Sequence, residues 1–501
     1  MNELIEQALD WMNDNEGVLA GVGVLIALIT IAVPRLRAWV TGRPALPGTI
    51  DPNQIPLHPA YLAALTNEGG QAPAPAGSFF APNRQARARA GQRPGFADPG
   101  RAAVAVFPFD CAVEHGSYAP AATALADEIS TGLNATNGYD VISGRVTRGF
   151  EGSVSDLGAR YLVEGTLRIV SNTRVGECVR IIARLVDVGT GRHIWAERYE
   201  CPAAEFADQE DEIASQITAA LIAHLQGAEV ERASQADPKK LDAWSLSMLA
   251  FSSITGSTNR DGVLQAEKLA RRAVERDPVS GYAHVILAAT LVQKRGFVGE
   301  FDLKVDEAEI REHAERALEL SPRDSMTLAL YGFVRTSLNE PHEAIPYLER
   351  SVEANPSNAR AWGTYGRALR NAGRIDEAVP KFERAIRLSP KDVMVGLWWI
   401  WLASSFLLQN RYEEAIDSAR KAVTLNRPFF WGWLIMAAAL GQQGREVEAA
   451  EALAEVRSYF PDIDKRPVRQ LLESSLGTDC DLSVILQGLA AAGLDIQEEA
   501  A

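Results

Sequence analysis

Three arginines lie within eleven residues, 360–370, in the C-terminal half of this 501-residue chain. Arg360, Arg367 and Arg370 lie close together, and Asn371 follows the third of them. Arginine presents a planar set of N–H donors that pairs well with carboxylates. Neighbouring segments carry apolar residues at the corresponding positions: Met326, Phe333, Leu397, Ile400 and Trp431. The pattern predicts a basic spot beside an apolar strip, suited to an acidic protein partner; the alternative is that these arginines are only solvated surface charges.

Patterns that mark catalytic or metal sites are missing from the sequence. It has no phosphate-binding loop, no G-x-G-x-x-G after a strand, no H-E-x-x-H and no G-x-S-x-G. The histidines, at positions 58, 115, 193, 224, 284, 313 and 342, show no metal-ligand spacing, and the four cysteines form no C-x-x-C pair. We therefore predict a protein that is not an enzyme, with no catalytic residues, no metal and no cofactor.

The charge balance bears on the class of partner. With 50 Lys and Arg against 65 Asp and Glu, the formal net charge is −15. A general nucleic-acid binder carries a basic surface, so we expect no nucleic-acid partner. The length allows several domains, because single domains usually run about 100–200 residues.

The positions of the basic residues follow from a sequence repeat. Pro322, Pro356 and Pro390 are spaced by 34 residues. Self-similarity at this period is typical of tetratricopeptide repeats, in which paired antiparallel helices stack into a solenoid. We predict six repeats in residues 241–462, followed by capping helices and a tail in residues 463–501. The first helix of each repeat should line a groove, and that helix would carry the arginines.

Small and large side chains repeat with the same period. Gly332 and Gly366 would let the first helix of a repeat approach the second closely. Trp362, Trp399 and Trp433 would fill the space between repeats.

Residues 101–227 are predicted to form a smaller α/β domain. Short apolar runs bounded by turn residues predict strands at Ala102–Asp110, Tyr139–Ile142, Tyr161–Val170, Cys178–Val188 and Arg192–Cys201. Helical spacing predicts helices at Ala119–Leu133 and Glu205–Leu225, with a small helix near Ser153–Ala159.

Three segments of this domain resemble a known module. They are AVFPF (Ala105–Phe109), ARYLVEGTLR (Ala159–Arg168) and LVDVGTGRHIWAERYE (Leu185–Glu200). They are similar to the N-terminal domain of TolB and the related FlgO-like domains. They are also similar to the segment that precedes helical repeats in many proteobacterial proteins, often behind a class III adenylate cyclase or a DNA-binding domain. The resemblance implies a non-catalytic sensing or docking domain. Packing alone also accounts for Trp195 and Tyr199, and a turn accounts for Gly189 and Gly191.

The hairpin within the module makes a prediction about two thiols. A symmetric hairpin centred on Gly189–Thr190 would place Cys178 directly opposite Cys201. A bulge, for which Gly191 is a candidate, would break that alignment. We expect two free thiols, with a Cys178–Cys201 disulfide as the alternative.

The N-terminal part predicts a membrane anchor. We divide it into an acidic tail (1–16), a transmembrane helix (17–34) and a disordered linker rich in Pro, Ala, Gly and Arg (35–100). The uncharged run between Glu16 and Arg35 is close to the minimum for a bilayer span, about 17–25 residues. Arg35, Arg37 and Arg43 follow the run and favour a cytoplasmic location for everything after it.

Together these features predict a multidomain chain with an N-terminal transmembrane helix, a small α/β domain and a C-terminal all-α tetratricopeptide solenoid. The expected function is a scaffold or adaptor in the bacterial inner membrane, with cytoplasmic soluble domains. It would bind partner proteins through the repeat groove and the membrane through residues 17–34. Two alternatives stay open: a signal-sensing protein related to the regulatory half of adenylate cyclases or transcriptional receptors, and a periplasmic envelope assembly factor.

Overall fold

The computed structural model describes residues 102–111, 118–136, 138–147, 154–172, 176–256, 260–296 and 306–496. The predicted acidic tail, transmembrane helix and linker lie outside these residues. Among the helices within the described ranges, none is long and apolar enough to cross a membrane.

The first folded region, here called the α/β region, is built on one mixed sheet. Its elements are β1 (Ala102–Val106), β2 (Asp110–Cys111), α1 (Ala119–Asn134), β3 (Tyr139–Ile142), α2 (Gly144–Thr147), β4 (Tyr161–Asn172), β5 (Gly176–Asp187), β6 (His193–Pro202) and α3 (Phe206–Gln235). The strand order is β3-β1-β4-β5-β6, and β2 also pairs with β4. β1 is parallel to both neighbours, whereas β4, β5 and β6 form an antiparallel meander. The small α/β region predicted from the sequence is therefore confirmed.

Most predicted elements agree with the observed ones to within two residues at each end, and two differ by more. The predicted strand over Ala102–Asp110 is split into β1 and β2, because Pro108 lacks the N–H that a continuing ladder needs. The predicted helix ending at Leu225 continues to Gln235, since Val230 and Ala233 go on burying apolar side chains.

One face of the sheet forms the core of the α/β region with α1 and α3. Alternate residues of β4 and β5 point to this face, as the period of two in a strand requires. The core contains Val163, Leu167, Val179, Ile181, Ala183 and Leu185 from the strands, Leu125, Ile129 and Leu133 from α1, and Ile217, Leu221 and Leu225 from α3. A Cβ at Gly165 would lie 2.5 Å from the Phe109 ring, so only glycine fits there.

The hairpin register corrects the prediction about the two thiols. Val186 pairs with His193, but Leu185 pairs with Trp195, so Ile194 is an extra residue in β6. This bulge shifts the register by one: Cys178 lies opposite Pro202, and Cys201 lies opposite Val179. The predicted opposition of Cys178 and Cys201 is therefore wrong. The bulge is at Ile194, while Gly191 lies in the turn at φ 71°. Both cysteines are buried free thiols.

In the part of the chain that the structure describes, twelve further helices form six consecutive pairs. They are α4 (Ala243–Gly256) with α5 (Arg260–Arg276), α6 (Gly281–Gly296) with α7 (Glu307–Leu320), α8 (Ser325–Ser337) with α9 (Pro341–Ala354), α10 (Ala359–Asn371) with α11 (Ile375–Leu388), α12 (Val395–Leu408) with α13 (Tyr412–Leu425), and α14 (Phe430–Gln442) with α15 (Glu446–Tyr459). We number the pairs one to six. This arrangement is the all-helical solenoid that the 34-residue period predicted.

Glycine lets the two helices of a pair approach closely. A Cβ at Gly332 would lie 2.5 Å from Leu348 Cγ, and one at Gly366 would lie 2.7 Å from Phe382 Cε1. Real Cβ atoms do not come so close, because protein interiors are already packed like organic crystals. The recurring glycine of the first helix is thus explained by contact with the second helix.

Two more helices follow the six pairs, α16 (Val468–Leu476) and α17 (Ser483–Ala491). We expected capping helices over the open end of the array. α17 instead packs along α14, the first helix of pair six, and also contacts α12. A Cβ at Gly488 would overlap the carbonyl oxygen of Ala438, so the two helix backbones are in direct contact.

Candidate partner-binding surface

The predicted site residues all lie on first helices of pairs three to six. α8 carries Met326 and Phe333, α10 carries Arg360, Arg367, Arg370 and Asn371, α12 carries Leu397 and Ile400, and α14 carries Trp431. We call the side formed by these four helices the first-helix surface. Among the described residues of α8, α10, α12 and α14, none is exposed. The surface is therefore largely covered by other parts of the chain.

Arg360 is held by the α/β region. Its side chain is 18% exposed and pairs with Asp392 at 3.2 Å. Its Nη1 donates a 2.7 Å hydrogen bond to Gln226 Oε1 on α3, and its guanidinium lies 5.0 Å from the Phe251 ring centroid. The prediction of an open groove position at Arg360 is therefore wrong for this arrangement, because α3 and Asp392 already occupy its donors.

Arg370 is an interior residue rather than a groove residue. Its side chain is fully buried, and burial lowers its pKa to about 9. It donates to Ser404 Oγ on α12 at 2.8 Å, to Asn371 Oδ1 at 3.0 Å and to the Ser475 carbonyl of α16 at 2.9 Å. Asn371 is buried as well. The predicted partner contacts of Arg370 and Asn371 are therefore corrected: these residues tie α10, α12 and α16 together.

Of the three predicted arginines, Arg367 has the fewest side-chain hydrogen bonds within the described residues. Its half-buried guanidinium lies 5.1 Å from the Phe333 centroid and 5.7 Å from the Trp401 centroid. Nη1 donates to Ser337 Oγ at 3.1 Å, which uses one of the five N–H donors of the guanidinium. Burial lowers its pKa to about 10, so it remains charged at neutral pH. Within the described residues, no carboxylate oxygen lies within 4.0 Å of Arg367 or Arg370.

The predicted apolar strip is divided between different neighbours. Met326 and Ile400 are buried, whereas Phe333, Leu397 and Trp431 are half-buried. Met326 lines a small crevice together with residues of α3, namely Ala219, Ile222 and Ala223. Trp431 belongs to an aromatic stack: its ring is 5.2 Å from that of Phe430, which lies 4.9 Å from that of Phe460. These five apolar residues therefore do not form one continuous binding surface.

The α/β region contacts pairs three and four, which sequence reasoning did not anticipate. Glu212 of α3 forms an ion pair with Arg384 of α11. Lys391 pairs with Glu197 of β6 at 2.6 Å. Asn355 Nδ2 donates to the Gly132 carbonyl of α1 at 3.2 Å. A signal was present in α3, because Ala219, Ala223 and Gln226 point away from the sheet and leave room for a neighbour.

The structure also brings two histidines together that look unrelated in the sequence. His284 of α6 and His313 of α7 approach with their Nδ1 atoms 2.9 Å apart. Nε2 of His284 lies 3.0 Å from the Pro278 carbonyl and must donate to it, so His284 accepts at Nδ1 and His313 donates. Burial lowers the pKa of His313. Across the described ranges, no group of three or more His, Cys, Asp or Glu residues is arranged to hold a metal ion.

Comparison with protein families matches the helix pairs. A profile described as tetratricopeptide repeat matches residues 337–393, and a second profile of the same description matches residues 399–429. The chain therefore contains tetratricopeptide repeats, as the period predicted.

Individual proteins are similar to part of this chain. "Putative adenylate cyclase 3" of Rhizobium meliloti (strain 1021) is 28% identical over 197 residues, which is 38% of this chain and 32% of the relative. The chain thus spans about a third of the length of that relative. Among solved structures, YrrB, described as a TPR protein with an unusual peptide-binding site, is 21% identical with a TM-score of 0.26, over 38% of this chain and 90% of YrrB. PilF of Pseudomonas aeruginosa is 18% identical with a TM-score of 0.32, over 44% of this chain and 94% of PilF.

Proposed function

We propose that this protein is a non-enzymatic scaffold or adaptor that binds an acidic segment of a partner protein through its first-helix surface. The observation that carries the proposal is Arg367, a half-buried cation between two aromatic rings with no acidic partner within the described residues. Tetratricopeptide repeats are stacked helix pairs that present extended binding surfaces, which supports a binding role.

The local chemistry favours a carboxylate at Arg367. The guanidinium pairs with a carboxylate through two parallel N–H bonds, and such charge-assisted bonds are stronger than neutral ones. Phe333 and Trp401 keep water away from the site, which strengthens the attraction by lowering the local dielectric. The fully buried charge of Arg370 adds to the positive potential without being accessible itself.

The test compares two arginines on different sides of the repeats. Arg367→Gln keeps a hydrogen-bonding side chain but removes the charge. Arg420→Gln is the matched control, because Arg420 is 57% exposed on α13 and its ion pair within the described residues is with Asp417, three positions away. Proteins that co-purify with the full chain from membranes are measured by quantitative mass spectrometry. At least one should fall by about tenfold with Arg367→Gln and stay unchanged with Arg420→Gln, since a desolvated ion pair is worth more than about 1.4 kcal/mol. Equal recovery in both variants would remove Arg367 from the proposal.

We also propose that residues 17–34 anchor the protein in the inner membrane, with the α/β region and the repeats in the cytoplasm. The arginines that follow the apolar run support this orientation. The α/β region would act there as a sensing or docking domain, as its resemblance to TolB and FlgO-like domains implies. A C-terminal alkaline phosphatase fusion should be inactive; an active fusion would favour a periplasmic assembly factor instead.

The second candidate is a signal-sensing regulatory protein. The similarity to "Putative adenylate cyclase 3" favours it, because the α/β region also resembles a module that often lies behind class III adenylate cyclases. Co-expression with a class III cyclase and measurement of cyclic AMP tests this function. A change in cyclic AMP that depends on the α/β region would favour regulation over scaffolding.

A further inference from the structure

The α/β region covers part of pairs three and four, and most of the side-chain contacts between them are polar. The polar contacts include the ion pairs Glu212–Arg384 and Glu197–Lys391 and the hydrogen bonds from Arg360 to Gln226 and from Asn355 to the Gly132 carbonyl. A small apolar contact lies beside them, where Ala219, Ile222 and Ala223 of α3 line a crevice with Met326. Glu212 and Arg384 are 33% and 20% exposed, and Lys391 is 73% exposed. Water and salt therefore reach these ion pairs, which makes each of them weak.

The apolar cores on the two sides of this contact are nearly separate. The core of the α/β region contains no residue of the helix pairs among the described residues. The core of pairs three to six takes a single residue, Ala219, from the α/β region. Polar contacts between regions with separate cores permit relative motion, since little apolar area is lost on separation.

The residues beneath this cover are the ones a partner would need. Met326 and Arg360 belong to the first-helix surface, but α3 buries the first and hydrogen-bonds the second. We infer that the α/β region is an internal competitor for the first-helix surface, and that α3 must separate from pairs three and four before a partner reaches Met326 and Arg360. This inference rests on the proposed function, because it concerns the regulation of the same surface. By linkage, whatever loosens α3 strengthens partner binding, and a bound partner loosens α3 to the same degree.

The first experiment measures the closed contact in the full chain without any partner. A water-soluble carbodiimide joins a carboxylate to an amine without a spacer, so the Glu197–Lys391 pair at 2.6 Å should give an amide cross-link detectable by mass spectrometry. Arg384→Glu places two carboxylates together at a different point of the contact and should lower the cross-link yield by about fivefold, the lower end of ordinary coupling between sites. Glu212→Arg combined with Arg384→Glu should restore it. Arg387→Glu, an exposed position on the same helix, is the charge-matched control.

The second experiment measures exposure of the covered surface. Peroxide converts an accessible methionine to its sulfoxide. Met326 and Met436 are 7% and 8% exposed, but only Met326 lies under α3. Arg384→Glu should raise the oxidation rate of Met326 by about fivefold relative to Met436, and the charge-swapped double variant should reverse the change. Equal oxidation of Met326 in the wild type, Arg384→Glu and the double variant would overturn the inference. So would a parallel rise at Met436, because that outcome means general loosening.

The link to partner binding is tested last. The proteins that depend on Arg367 should be recovered in about fivefold greater amount with Arg384→Glu and in smaller amount after the Glu197–Lys391 cross-link. Unchanged recovery with a responding Met326 would overturn the competition while leaving the adaptor function intact. If no protein depends on Arg367 in any variant, the proposed function fails and the inference fails with it.

Discussion

The C-terminal helices and α3 both cover parts of the first-helix surface, and they do so with different chemistry. α17 lies against α14 with backbone contact at Gly488 and buries Ile485, Leu486 and Leu489. α3 lies against pairs three and four with ion pairs and hydrogen bonds. Burial of apolar area is worth about 25 cal/mol per Å², whereas an exposed ion pair is worth about 1 kcal/mol or less. The comparison indicates that α17 stays packed on the repeats, whereas α3 can separate from pairs three and four.

The largest effect should come from breaking the α17 contact. Gly488→Leu drives a side chain into the carbonyl oxygen of Ala438, so the helices cannot keep their spacing. We expect the free energy of unfolding to fall by about 3 kcal/mol, the upper end of ordinary overpacking. Urea unfolding measures the loss. Gln487→Leu, an exposed neighbour on the same helix, should change it by less than about 0.5 kcal/mol. Equal values for the two variants would contradict the packing of α17 on α14.

A somewhat smaller effect should follow removal of the Arg370 hydrogen bonds. Arg370→Met keeps the length of the side chain but leaves Asn371 Oδ1 and the Ser475 carbonyl without their donor. We expect a loss of about 2 kcal/mol and faster amide hydrogen exchange in α16. Arg420→Met on the outer side should be nearly neutral. A stabilised Arg370→Met protein would show that the uncompensated buried charge costs more than its hydrogen bonds return.

Salt should weaken the contact of α3 and leave the contact of α17 unchanged, so it distinguishes the two contacts without a mutation. At about 1 M salt the screening length is about 3 Å, so the Glu212–Arg384 and Glu197–Lys391 pairs lose most of their attraction. We expect Met326 oxidation to rise by about two- to fivefold, while hydrogen exchange in α17 stays constant. A salt-sensitive α17 with a salt-insensitive Met326 would reverse the assignment of the two covers.

The smallest effect is expected from the histidines of pair two, His284 and His313. They lie apart from the contacts of α3 and of α17. Because burial lowers the pKa of His313, the folded state binds a proton less readily than the unfolded state. Stability is therefore unaffected well above the unfolded pKa of about 6.5 and falls as the pH is lowered through it. Between pH 7.5 and 5.5 the wild type should lose about 1–2 °C more in melting temperature than His313→Gln, whose amide still donates to His284. Glu309, Glu312 and Arg271 also face His313, and Glu309→Gln is the control for their contribution.

The arginines illustrate what could and could not be predicted from the sequence. The repeat period correctly predicted that Arg360, Arg367 and Arg370 lie on one first helix. It could not predict their different environments, because Gln226, Ser475 and Asp392 come from segments far away in the chain. Residue type and spacing are local properties, whereas burial of a guanidinium depends on what folds against it.

The helix pairs and the sheet were predictable for a related reason. Regularly spaced prolines indicate where helices end, and alternating apolar residues indicate which face of a strand is buried. The solenoid and most strands could therefore be predicted from the sequence. The bulge at Ile194 has no comparable signal, since His193 to Trp195 continue an ordinary strand pattern and the extra residue shows only in the pairing. The contact of α3 with pairs three and four is missed because the small residues on its outer side indicate a neighbour but do not identify which segment that neighbour is.

α3 also has a mechanical role that follows from its length. Its 30 residues make a rod of roughly 45 Å. Its residues from Phe206 to Leu225 contribute to the sheet core, and Ala233 near its end belongs to the core of pairs one and two. The rod therefore works as a lever arm. A tilt of about 10° about its C-terminal end sweeps its N-terminal end through about 8 Å, more than the reach of the Glu212–Arg384 pair. A small rotation of α3 at pair one would therefore be enough to break that ion pair.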